Sequence, residues 1–326
     1  MKKTLAVLLT LATLPGYSGP PANDVYSANM TVTARPVDLF PGDPARRRIG
    51  ALEYLGGVVL KSSDPAFGGY SAMRFDHGRF TLLSDMGSWI SFRLAGSNVR
   101  DLTFGALPGG PGIGWEKADR DSESLTATPD GRQFWAGFEN SNAIWRYDSL
   151  DGRATGHVRP AAMRRWPRGG GAESMVRLRD GRFVVISETG RWRGAKGRAA
   201  ILFTGDPVEH PRRGFRFAYQ PPANYDPSDI IELPDGRLLI LNRRLSLRGG
   251  FTAKLTLLDP TRIWPGKLVT GPVIATLAAP ALHDNFEALA ATREQGRTVV
   301  WIASDDNQSL FEKSYLLKFA LMLPPR

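Results

Sequence analysis

Along most of the chain, short apolar runs are broken every few residues by glycine, proline, aspartate or asparagine. β-rich stretches such as 183–186 (FVVI) have the length and composition of strands bounded by turns. No apolar spacing of helical period runs long enough to mark an amphipathic helix of ordinary length. The pattern predicts an all-β chain of many short strands.

Self-comparison resolves these strands into five repeats. Each has a short first strand, a turn at Asp-Gly or a related dipeptide, and a β-rich return strand. The turn glycines are Gly78, Gly131, Gly181, Gly236 and Gly296, separated by 53, 50, 55 and 60 residues. Glycine there supplies the positive φ that a tight hairpin needs. A third strand follows in every repeat (91–94, 143–147, 200–203, 254–258 and 315–319). A weaker fourth follows in the first four, for example 214–218 and 272–277. Four strands every 50 to 60 residues predict a β-propeller of five four-stranded blades. The fifth repeat stops after its third strand, and the run 49–61 is the candidate for its missing fourth. That pairing would close the ring and leave no free sheet edge. Six blades are the alternative, although the residues before 49 are few for another blade. Strands near 29–34 are expected to pack outside the ring or to extend the closing blade.

Composition narrows the chemistry. There is no cysteine, which excludes disulfide scaffolds, structural zinc clusters and thiol catalysis. The four histidines, His77, His157, His210 and His283, are too few and too scattered for a multi-histidine metal site. Residues 1–18 read as a signal peptide: Lys2 and Lys3, an apolar run over 4–14, then small residues at Gly16 and Ser18. The run is too short to span a bilayer, and no later stretch is long enough. The expected organisation is a signal peptide (1–18), an N-terminal extension (19–47) and a propeller (48–326) in a periplasmic or secreted monomer. Losing Lys2 and Lys3 takes the net charge from +10 to +8. Such an excess is either solvated surface arginine or an attraction for an anionic substrate or envelope surface.

Aligning the repeats on the turn glycine brings Ser71, Glu123, Glu173, Ser228 and Glu287 into register, 7 to 9 residues before each glycine. They fall on the first strands, which converge on the axis of a propeller, so they would form a ring. Three carboxylates so placed repel one another unless protons or a cation intervene. Carboxylate, hydroxyl and water oxygens suit Ca²⁺. The bland alternative is that each glutamate caps its blade through backbone N–H groups.

A second aligned position follows the return strand: Asp85, Glu139, Glu188, Asn242 and Asp305. Asp119, Asp121, Asp226, Asp229, Asp284 and Asp306 flank the first ring. An acidic pocket holding a metal and a water, with Glu139, Glu188, Asp85 or Asp305 as base, would suit metal-assisted hydrolysis. Basic and aromatic residues lie nearby: Lys61, Arg146, Arg191, Trp192, Arg193, Arg243, Arg244 and His283. Of these Arg191, Arg243 and His283 are the candidates for binding an anionic substrate. There is no Gly-x-Ser-x-Gly elbow, and the glycine-rich run 109–114 lacks the lysine and helix of a phosphate loop. No nucleic-acid-binding module is present.

The motifs 67–73 (FGGYSAM), 121–125 (DSESL), 171–175 (GAESM), 284–290 (DNFEALA), 303–308 (ASDDNQ) and 315–321 (YLLKFAL) resemble a known family. It comprises the secreted bacterial proteins described as having esterase-like activity of phytase. The resemblance covers about 48–325 and implies a propeller that hydrolyses esters or phosphate esters. The order Ser, Glu, Glu, Ser, Glu is also similar to the central calcium ring of calcium-activated nucleotidases, which are five-bladed propellers. That likeness implies calcium on Ser71, Glu123, Glu173, Ser228 and Glu287, directly or through water. No further nucleotidase motif is found. Two functions follow as expectations. One is Ca²⁺-dependent hydrolysis of a small anionic or ester substrate at the propeller mouth. The other is a non-catalytic propeller that binds a ligand or protein and uses calcium only to fix its blades.

Overall fold

A computed structural model describes residues 26–114, 116–309 and 311–323. The expected signal peptide lies outside the described residues. Three N-terminal strands, β1 (Thr33–Pro36), β2 (Arg48–Ile49) and β3 (Leu52–Lys61), precede the repeats. Blade 1 is β4 (Tyr70–Asp76), β5 (Arg79–Ser84), β6 (Ser88–Ala95) and β7 (Asn98–Ala106). A single helical turn, α1 (Lys117–Arg120), leads into blade 2, made of β8 (Ser122–Ala127), β9 (Phe134–Phe138), β10 (Ala143–Tyr147) and β11 (Ala154–Val158). Blade 3 is β12 (Ser174–Arg177), β13 (Phe183–Ile186), β14 (Arg198–Phe203) and β15 (Gly214–Tyr219). Blade 4 is β16 (Asp226–Glu232), β17 (Leu238–Ser246), β18 (Gly250–Leu258) and β20 (Val273–Leu277). Between its last two strands the short β19 (Leu268–Val269) joins β15 in parallel and widens blade 3. Blade 5 begins with β21 (Phe286–Glu294), β22 (Arg297–Ser304) and β23 (Ser314–Leu321).

The fourth strand of blade 5 is β3, antiparallel to β23 from Ser314↔Leu60 to Leu321↔Leu52. The two ends of the chain thus share one sheet, as the short fifth repeat predicts. β1 then pairs with the outer side of β3 and extends the closing blade. The five innermost strands contact one another in the order β4, β8, β12, β16, β21 and back to β4, which closes the ring.

The wholly apolar runs have a physical reason. Each blade is sandwiched between two others, so both faces of its central strands are dry. In β13, Val184 and Ile186 enter the core shared with blade 4, while Phe183 and Val185 enter the core shared with blade 2. In β17, Leu239 and Leu241 face blade 5, and Leu238 and Ile240 face blade 3. Five such wedges of packed side chains join the blades in pairs.

The hairpins after the inner strands fall into two kinds. Blades 1 and 5 use two-residue turns, His77-Gly78 and Gln295-Gly296, with all four residues at positive φ. This is the mirror-image turn that matches strand twist. Blades 2, 3 and 4 use a longer Asp-Gly-Arg turn. There the aspartate Oδ1 accepts the backbone N–H of the arginine two residues on, at 3.1, 3.0 and 2.9 Å for Asp130, Asp180 and Asp235. No helix among the described residues is long and apolar enough to cross a membrane.

Candidate functional site

Near the start of the inner strands, one residue escapes the ladder. In blade 1, Tyr70 pairs with Ser84 and Ala72 with Leu83, which leaves Ser71 between them without a partner. The same bulge sets apart Glu123, Ser228 and Glu287. Glu173 stands directly before β12, whose first residue Ser174 pairs with Ile186. A bulge turns a side chain out of the alternation that would have buried it between blades. The five aligned positions are therefore the residues released from sheet pairing at one end of the ring.

Their side chains then divide. Ser71 Oγ donates to Ser122 O at 2.5 Å, and Ser228 Oγ donates to Phe286 O at 3.4 Å. Both carbonyls belong to the next blade, so these hydroxyls stitch inner strands together. The glutamates instead face one another. Carboxylate oxygens of Asp121, Glu123 and Glu139 lie within 4.8 Å of each other, and so do those of Glu139, Glu173 and Glu188. Glu139, on the loop after β9, belongs to both groups. Its Oε1 accepts the backbone N–H of Gly170 and, at 3.3 Å, that of Gly171. Only glycine allows this approach. A Cβ on Gly171 would lie 2.8 Å from Glu139 O and 2.5 Å from Asn142 Oδ1.

Burial and mutual repulsion raise the proton affinity of the cluster. Desolvation, then Glu173 and Asp121, hold Glu123 well above the usual carboxylate range. Desolvation and Glu188 do the same to Glu173. Asp121 is pushed up to about 8 by burial and by Glu139. Glu173 is only 4% exposed and accepts no hydrogen bond among the described residues. Its carboxylate thus lies among other carboxylates, and the nearby Arg243 offsets their repulsion only in part. The donors are all oxygen, the set that hard divalent cations prefer, so these residues could hold a metal.

Two cations, Arg243 and Lys117, reach the cluster. Arg243, on β17, reaches Glu188 and Glu287 at 3.1 Å each and donates to Asn285 Oδ1 at 3.1 Å. Lys117, on α1, pairs with Asp85. Asp85 is raised by burial, an effect that Lys117 partly offsets. Asp305 is raised well above its ordinary range by burial, then by Glu287 and Asp85, and its Oδ1 accepts Asn307 N–H at 2.6 Å.

The structure thus brings Glu123, Glu173, Glu287, Glu139, Glu188, Asp85, Asp305 and Arg243 into one charged network. Other residues singled out above lie elsewhere or are already engaged. Asn242 turns into its blade, where it accepts from Tyr219 Oη at 2.9 Å and donates to Thr256 Oγ1 at 3.1 Å. Arg146 pairs with Asp206 and Glu209 at 2.6 and 2.7 Å, on β10 away from the cluster. Asp229 accepts the N–H of Ile230 and of Leu289 on the neighbouring inner strand. Asp306 accepts from Gly69 N–H and Ser314 Oγ, tying blade 5 to blade 1. Arg191 is exposed on the loop that carries Glu188. His283 has its Nδ1 2.7 Å from Ala281 O, next to Asp284, which burial pushes up to about 6. Lys117 has no counterpart in the other repeats, so no alignment of repeats could have found it.

The sequence profile of the family described as "Phytase-like: Esterase-like activity of phytase" matches residues 65–308. The match runs from just before β4 to just past β22, three quarters of the chain. This chain belongs to the phytase-like family. The family is described by an esterase-like activity. Among solved structures, Myxococcus xanthus glutaminyl cyclase is similar at 11% identity and a TM-score of 0.46, over 79% of this chain and 92% of that one. Kuenenia stuttgartiensis hydrazine synthase is similar at 13% identity and a TM-score of 0.38, over 73% of this chain and 56% of that one. Likenesses this remote carry no argument about function. No match among curated protein sequences is found.

Proposed function

We propose that this phytase-like propeller is an exported, Ca²⁺-dependent hydrolase of phosphate or other esters, acting where the inner strands begin. One observation carries the reading: Glu173 is buried, accepts no hydrogen bond, and lies within 4.8 Å of Glu139 and Glu188. A carboxylate so placed demands a counter-charge, and Glu139 connects it to a second group with Asp121 and Glu123. Glu123, Glu139, Glu173 and Glu188 would hold the cation, with Asp121 beside them. When bound, the cation supplies Lewis-acid polarisation of a substrate oxygen.

The remaining residues divide the work. Asp305 is the candidate base: Asn307 N–H fixes the orientation of its carboxyl group, and burial beside Glu287 and Asp85 raises its affinity for a proton. Lys117 keeps Asp85 engaged, so Asp85 serves to position that ammonium. Arg243 and Lys117 flank the acids and would orient an anionic group on the substrate. Arg191 and His283 stand at the edge and would meet the outer part of a larger substrate.

The test is thermal melting with EDTA and with added Ca²⁺, beside Glu173→Gln, followed by phosphate-ester and acyl-ester screens in calcium. The reading requires a calcium-dependent rise in Tm that Glu173→Gln loses, and ester turnover that EDTA abolishes. A calcium-dependent rise with no turnover on either ester class would favour the non-catalytic, calcium-fixed propeller.

A further inference from the structure

Three surface segments on the site's face carry an excess of positive charge that no carboxylate answers. The first, 159–173, leads from β11 to Glu173 and supplies the N–H groups that bind Glu139. Arg164, Arg165 and Arg168 are exposed on it. The second, 187–197, carries Glu188 and, exposed beyond it, Arg193 and Lys196. The third is the β17–β18 hairpin, which sends Arg243 inward and holds Arg244 and Arg248 outward. Each segment thus gives one element to the acidic centre and presents cations to solvent beside it. The first two are locked together by Trp166 and Trp192, whose rings lie 6.1 Å apart, with Arg216 4.8 Å over Trp192.

Exposed arginines without an ion pair among the described residues also occur elsewhere, such as Arg35, Arg100 and Arg212, but here seven unpaired cations gather on one face of the ring, while several other arginines are answered. Arg132, Arg182 and Arg237 pair with the aspartate of their own turn, and Arg297 pairs with Glu53. None of the seven on the three segments makes an ion pair among the described residues, and the segments carry no exposed acid. The hairpin adds apolar surface. Leu245 is 65% exposed and Leu247 fully exposed, between Arg244 and Arg248. A leucine held out of the fold and flanked by arginines matches the water–lipid boundary, where the guanidinium groups meet phosphates and the leucine meets acyl chains. A soluble polyanion would be matched by the charges alone and would leave the leucines without a partner.

We propose that this face docks on an anionic lipid membrane, with the three basic segments on the headgroups and the Leu245–Leu247 tip in the interface. The inference stands apart from the hydrolase reading and does not need it. The test is co-sedimentation of the mature protein with vesicles of phosphatidylglycerol and phosphatidylcholine, against pure phosphatidylcholine, at low and high salt. Polyphosphate binding is measured in parallel. Partition should require phosphatidylglycerol and weaken with salt. Arg164→Gln, Arg165→Gln and Arg168→Gln together should lower it roughly a hundredfold. Leu247→Ser should lower it roughly tenfold, with Tm and polyphosphate binding unchanged. Equal partition onto neutral vesicles, or none onto anionic ones, would overturn the proposal. So would a Leu247→Ser protein that partitions normally, since the charges would then be reading a soluble polyanion.

Discussion

The two ends of the inner hairpins carry the same kinds of residue under opposite conditions. At the far end, Asp130, Asp180 and Asp235 lie two residues from Arg132, Arg182 and Arg237 and pair with them in solvent. Hydrogen bonds from Thr128 and from Arg182 hold Asp130 and Asp180 below the usual carboxylate range. At the near end, Glu123 and Glu173 are turned toward other acids, and burial and repulsion drive them upward. An acid beside its own base in water closes a turn and needs nothing more. An acid buried among acids leaves a demand for charge that the chain meets only in part, through Arg243 and Lys117. That unmet demand, rather than the number of acidic residues, separates a site from a surface.

The contrast can be broken most severely at Asp305. Asp305→Asn should reduce ester turnover by about a hundredfold or more while leaving the calcium-dependent Tm rise intact, because base and cation holders are different residues. Equal loss of both would merge the two roles. Next comes metal removal. A cation at about one hundred times its Kd stabilises the native state by about 2.7 kcal/mol, so EDTA should lower Tm accordingly, and Glu173→Gln should abolish the difference.

The same metal-free protein gives a pH test. Asp121 titrates near 3.8 when unperturbed and at about 8 in the fold. Between those values the native state holds a proton that the unfolded chain has released. Stability without metal should therefore fall as pH rises through that window, and calcium should flatten the dependence. A metal-free Tm that climbs from pH 5 to 8 would remove the buried, uncompensated acids from the account. Gly171→Ala forces a methyl against Glu139 O and Asn142 and should cost about 1–3 kcal/mol, read as a drop in Tm with and without calcium. The smallest effect belongs to the far end. Arg182→Ala removes an exposed pair and should change stability by less than about 1 kcal/mol, with no effect on calcium binding or turnover.

Much of the ring was legible because its signals are local. A turn glycine, a β-rich return strand and a spacing of 50 to 60 residues recur in each repeat, and each needs only its own neighbours to form. The closing pairing of β3 with β23 was legible by deficit, since a repeat lacking one strand needs an edge partner. The residue-by-residue chemistry was less so. Asn242 aligns with Glu139 and Glu188, yet its amide satisfies Tyr219 and Thr256 inside the blade. Arg146 follows an acidic motif in sequence, but its strand carries it to Asp206 and Glu209. Arg243 reads as an anion binder, and the fold engages it first with Glu188 and Glu287.

By itself the sequence determined the repeat, the strand order, the number of blades and which five positions stand equivalent. Those depend on turn geometry and on apolar runs, which act over a few residues. Tertiary structure alone decided which equivalent residues share a fate. Ser71 and Ser228 bond the neighbouring blade, Glu287 meets Arg243, and Glu123 and Glu173 are left among other acids. The reason is that a charge is defined by what surrounds it. Those surroundings come from five blades, a one-turn helix and a glycine pair that meet only when the ring closes.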